Sequence, residues 1–148
     1  MALRRLALVI LALLTAAGCA TIRRERTLHR EQLLEQAGFE RKVAESPQQQ
    51  TGLRRLPPRM LARVPRGDEV AYVYADADYC ECLYVGSEPA CETFLRLLTR
   101  ELIDNDYRDT ANPDPVVSAE EMARYERLAR EAVVDPTADA SVDWSVWP

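Results

Sequence analysis

The chain is poor in two residue types that much chemistry depends on. Among 148 residues it has one histidine, His29, and one lysine, Lys42. A single histidine excludes a histidine-rich zinc site by count. His29 also stands far in sequence from Cys80, Cys82 and Cys91, which argues against a Cys-His dyad. Its neighbours Arg26, Arg30 and Glu31 suit a solvated helix face. The chain equally lacks a basic excess. Its formal charge is −5, and no nucleic-acid partner is expected without a basic face. There is no internal repeat, and the length suggests one domain.

The N-terminus divides into three zones. Met1 to Arg5 is short and basic, Leu6 to Thr15 is apolar throughout, and Ala16-Ala17-Gly18-Cys19 is a run of small residues ending in cysteine. That order defines an export signal rather than a folded element. The final four residues resemble the lipobox of bacterial lipoproteins, which reads Leu, a small residue, Gly or Ala, then Cys. Three positions match, and Ala16 stands where leucine is usual. The resemblance implies that the Cys19 thiol becomes a thioether to diacylglycerol. It also implies cleavage before Cys19 and acylation of the new amine. Two or more acyl chains anchor a protein stably, whereas one holds it marginally.

Two other readings stand beside this one. The uncharged stretch Leu6 to Ile22 has 17 residues and is long enough, at the lower limit, to span a bilayer uncut. Arg23, Arg24 and Arg26 oppose that insertion. A plain secretory cut near Ala20 is the other. The lipoprotein reading places the chain in the bacterial envelope, facing the periplasm. Ala20, where lipoproteins kept at the inner membrane tend to carry Asp, favours the outer membrane.

Four segments follow: signal peptide 1–18, lipidated tether 19–24, a small α+β domain 25–108 and an acidic extension 109–148. From Cys19 onward there are 17 basic and 24 acidic side chains. The excess is concentrated late, with nine acidic against three basic groups in 109–148.

The expected fold class is α+β: two N-terminal helices, a three-stranded antiparallel sheet, one packed amphipathic helix, then a C-terminal helix and a disordered acidic tail. The first helix covers Arg23 to Ala37, closed by a left-handed Gly38 with Phe39 folding back. Ser46-Pro47-Gln48-Gln49 opens the second with a capping box, and it ends before Pro57-Pro58. Arg59 to Val64, Glu69 to Ala75 and Cys80 to Val85 read as strands separated by turns. Ser87 caps the best helix, whose Ala90, Cys91, Phe94, Leu95, Leu98 and Leu102 form one apolar stripe. Ser118-Ala119-Glu120-Glu121 starts a helix to about Ala132, and Asp135 to Pro148 is structureless by composition. Trp144 and Trp147 interrupt that tail.

Three thiols remain after Cys19. Cys80 and Cys82, at i and i+2 on a strand, point the same way. They suit a soft metal such as Cu(I) or a dithiol–disulfide switch. A bridge between them needs alpha carbons closer than the roughly 6.6 Å of an extended chain. An oxidising periplasm makes a structural bridge the default, with one of the pair joined to Cys91 on the helix that must meet the sheet. A plain buried thiol is the third reading. At least one of the three is free or bonded to another chain.

Asp76, Asp78, Glu81 and Glu88 cluster around a turn without the glycine and terminal glutamate of a known calcium loop, so a solvated turn is the better reading. No metal site or cofactor is expected. Tyr72, Tyr74, Tyr79 and Tyr84 fall within 13 residues, and Tyr72, Tyr74 and Tyr84 are the candidate interaction face. Cross-strand packing is the alternative.

The run YVYADADYCECLYVG, Tyr72 to Gly86, resembles a signature of small uncharacterised lipoproteins from Gram-negative bacteria, with Ala37-Gly38-Phe39 and Leu56-Pro57-Pro58 upstream. The likeness covers about residues 28 to 98. It marks Cys80 and Cys82 as features and assigns them no role. Two helices before an antiparallel sheet also resemble, at fold level only, the small lipoprotein of the outer-membrane β-barrel assembly machine. The functional expectation is a non-catalytic envelope lipoprotein. It would be held to the membrane by lipid on Cys19 and work by contact with an envelope protein. The alternative is a thiol protein using Cys80 and Cys82 for redox exchange or metal capture.

Overall fold

The computed structural model describes residues 21, 24–108, 116–135 and 141–147. The chain forms two compact units, Met1–Gln32 and Leu33–Pro148. In the first, residues 24–32 are helical. The helix, α1, covers 24–36.

Helix α1 ends as its sequence dictates. Gly38 takes φ +93°, and the Phe39 N–H donates to Leu34 O at 3.0 Å, so the ring turns back onto the helix end. It meets Phe94 edge to face at 6.2 Å. The chain then enters β1 (Glu40–Val43), helix α2 (Pro47–Arg55), β2 (Leu61–Arg66), β3 (Glu69–Asp76), β4 (Cys82–Gly86), helix α3 (Glu88–Tyr107), helix α4 (Ala119–Arg130) and β5 (Val133–Val134). The strand order is β1-β4-β3-β2-β5. All neighbours are antiparallel except β2 and β5, which run parallel through Leu61↔Val133 and Ala62↔Val134.

This corrects the expected architecture. Among the described residues the protein is α+β with four helices and a five-stranded mixed sheet. It is not a three-stranded antiparallel sheet after two N-terminal helices, because β1 lies between α1 and α2. Strand β1 reads ERKV and is mostly exposed. An edge strand is held by its ladder hydrogen bonds, so it leaves no apolar alternation to read. Strand β5 is only two residues long, too short for any period.

The middle strands carry apolar residues on both faces, and both faces are covered. On one, Leu61, Tyr72, Tyr74, Cys82 and Tyr84 pack with Leu34, Phe39, Cys91, Phe94, Leu98 and Ala129. On the other, Ala62, Val64, Ala71, Val73, Ala75, Leu83 and Val85 pack with Leu53, Leu56 and Trp147. Trp147 is 3% exposed, so the described part of the tail, 141–147, is packed on the domain rather than disordered. The late acidic excess does not prevent this, because two indoles bring enough apolar surface.

Helices α3 and α4 form an antiparallel pair joined at one end. Tyr107 Oη donates to Glu121 Oε1 at 3.1 Å and Tyr125 Oη to Asp106 Oδ2 at 2.7 Å. Helix α4 starts at a capping box in which Ser118 Oγ accepts the Glu121 N–H at 3.2 Å and Glu121 Oε2 accepts the Ser118 N–H at 2.9 Å.

Candidate functional site

Cys19 lies outside the described residues. The remaining predicted residues fall in three places.

The first is the turn between β3 and β4. Asp76 is 1% exposed, and its Oδ1 accepts the N–H groups of Asp78 at 2.8 Å and Tyr79 at 3.0 Å. This folds residues 77–80 back toward β4. Glu81 then takes φ 48°, its carbonyl accepting the Ala44 N–H at 2.8 Å. The left-handed residue brings the Cys80 and Cys82 alpha carbons to 5.1 Å, and the two sulfurs are bonded. Extended geometry over Cys80–Cys82 would hold them farther apart. The expected partner, Cys91, is a free buried thiol. Cys82 faces the same core as Cys91, but local chain reversal at Glu81 gives it a nearer partner.

The carboxylates of this region do not converge. Asp78 pairs with Arg59, Glu81 is exposed, and Glu88 accepts a hydrogen bond from Tyr72 Oη at 3.0 Å. Asp76 Oδ2 is buried with no hydrogen-bond partner among the described residues. His29 is exposed.

The second place is the tyrosine set. Tyr72, Tyr74 and Tyr84 are 6%, 2% and 1% exposed, so they build the core; Tyr74 and Tyr84 offer no interaction face, and Tyr72 contributes only to the lining of a groove between α3 and α4. Tyr74 and Tyr84 are register partners and pack edge to face at 6.1 Å. The helices that cover them arise elsewhere in the chain, which the strand sequence alone does not reveal. Tyr79 is exposed and sits near the Arg59 guanidinium.

The third place holds Cys91. A groove of about 750 Å³ runs between α3 and α4, with Tyr72 and Val133 also in its lining. Cys91, Thr99 and Ile103 form its buried floor, with Leu95 and Met122 half-buried. Glu88, Glu92, Arg96 and Arg100 are exposed along one side, Glu126 and Arg130 along the other. The four on α3 are spaced at i, i+4, so they line one helix face in two bands, acidic then basic. Burial, then Glu88 and Glu92, push the Cys91 thiol up to about 11. It is therefore a protonated, weakly reactive group at neutral pH. Burial and the bond to Glu88 likewise raise Tyr72. A groove made by two separate helices leaves no linear motif. Of its lining, Cys91 and Leu95 were legible as part of the apolar stripe of α3.

No protein-family model matches the chain, and no curated protein or solved structure matches it. Among the described residues no helix is long and apolar enough to cross a membrane.

Proposed function

We propose that this chain is an exported lipoprotein, tethered to the envelope by lipid on Cys19, that acts by non-catalytic protein contact. The observation that carries the reading is the order of residues 1–19: arginines, an uninterrupted apolar run, then Ala-Ala-Gly-Cys. A thiol at that place is what diacylglyceryl transfer requires. The outer membrane, facing the periplasm, is the favoured address.

The contact surface of this reading is the α3–α4 groove. Its floor is apolar and its rim is banded in charge. It suits an amphipathic helix of an envelope protein, with one apolar ridge flanked by basic residues opposite Glu88 and Glu92 and acidic residues opposite Arg96 and Arg100.

The address is tested by feeding an alkyne-bearing fatty acid to a Gram-negative host that expresses the chain. Label on the wild type and none on Cys19→Ser supports it; an unmodified Cys19 in the wild type overturns it. The surface is tested by a photocrosslinker at position 96, with position 54 on α2 as control. A defined adduct from 96 alone supports it.

The second reading keeps Cys80 and Cys82 as a redox or soft-metal pair. It is favoured by one observation: the two sulfurs meet in a turn where Cys80 is only half-buried. A bridge that opens under a mild dithiol in the folded protein supports it. A bridge that yields only after unfolding removes it.

A further inference from the structure

The segment Ser141–Trp147 is attached to the domain like a bound peptide. Its only turn is internal: Asp143 Oδ1 accepts Ser145 N–H at 3.1 Å and Ser145 Oγ at 2.6 Å, and Val146 N–H donates to Asp143 O at 3.2 Å. That turn presents Trp144 and Trp147. Trp147 enters the core beside Leu53 and Leu56. Trp144 Nε1 donates to Pro65 O at 2.7 Å, and the Arg66 guanidinium lies 4.8 Å from its ring. Gln49 Nε2 donates to Val146 O at 2.7 Å. Among the described residues, no backbone-to-backbone hydrogen bond joins 141–147 to the rest of the domain. Two side-chain hydrogen bonds and two indoles hold it, the usual anchors of a recognised peptide. The seat is not filled. A trough of about 580 Å³ remains between the segment and α2, lined by Gln48, Thr51 and Arg55.

We infer that the face between α2 and β2 is a peptide-binding seat occupied by the chain's own Ser141–Trp147, and that it accepts the same segment from a second copy when the resident one lifts away. The second copy is the occupant of choice because its segment is already complementary to the seat. Exchange of identical elements is a low-cost route to dimers. The inference does not depend on the lipid anchor or on the α3–α4 groove.

Two measurements on the full-length chain test it. Trp144 and Trp147 are its only tryptophans, so intrinsic indole emission reports this segment alone. In a urea titration the emission should shift red before the far-ultraviolet circular dichroism falls. Coincident transitions overturn the inference, because the segment is then an inseparable part of the core. In the second, a fluorescein-labelled peptide of residues 141–147 is titrated into wild type and into the double variant Trp144→Ala, Trp147→Ala. The resident segment competes at high effective concentration. The double variant should therefore bind the peptide on the order of tenfold or more tightly than wild type. No saturable binding, equal binding to both proteins, or a double variant that fails to fold each overturns it.

Discussion

Gly86 lies against the ring of Phe39: a Cβ at position 86 would stand 2.5 Å from Phe39 Cε1. The ring cannot retreat freely, because it also meets Phe94 edge to face. The contact joins the end of β4 to the residue that turns the chain out of α1.

Gly86→Ala should therefore destabilise by overpacking, at about 1–3 kcal/mol. A urea midpoint lowered with unchanged slope is the expected result. An unchanged midpoint would mean that Phe39 is not held where it lies.

Helix α4 should be sensitive to acid. Ser118 holds the Glu121 carboxyl below its ordinary range through side-chain and backbone hydrogen bonds, with Tyr107 adding a third. A depressed carboxyl stabilises the fold above its unfolded pKa and loses that contribution as pH falls through the folded value. Stability should drop on acidification below the usual glutamate range, and Glu121→Gln should reduce that slope. The check is chemical denaturation across pH 3 to 7, about the span that covers carboxyl titration.

The alkaline limb should report Cys91. Its thiol is pushed up to about 11 by burial, then by Glu88 and Glu92. The unfolded thiol loses its proton first, so stability falls as pH rises from the ordinary thiol range toward the folded value. Tyr72 and Tyr125, both raised, steepen the same limb. Cys91→Ala should flatten its lower part, read by denaturant titration at successive pH values.

Alkylation of denatured, unreduced protein should modify Cys91, with Cys80 and Cys82 labelled only after reduction. Tandem mass spectrometry identifies the residue. Label on Cys80 or Cys82 before reduction would contradict the bridge. Because the closed loop spans only three residues, its reduction should cost no more than about 1–2 kcal/mol.

Several parts of the fold were legible because their signals are local. Ser46, Pro47 and Gln49 build a capping box within four residues, and Gly38 must be glycine-like because the turn after α1 takes φ +93°. The alternation through Val70 to Ala75 follows from the strand period. Strand β1 was not legible: ERKV carries three charges, and only its pairing with β4 makes it a strand. The same holds for Val133–Val134 beside β2.

What the sequence determined by itself were the elements whose causes lie within a few residues: caps, turns, strand alternation and the cysteine behind an apolar run. Only the tertiary structure decided which surfaces are free. It buried Tyr72, Tyr74 and Tyr84, joined Cys80 to Cys82 and left Cys91 alone. It opened a groove between α3 and α4 and seated Trp147 against α2. The physical reason is that burial belongs to pairs of distant segments. A strand carries its own period, but whether a helix covers it depends on where the rest of the chain packs.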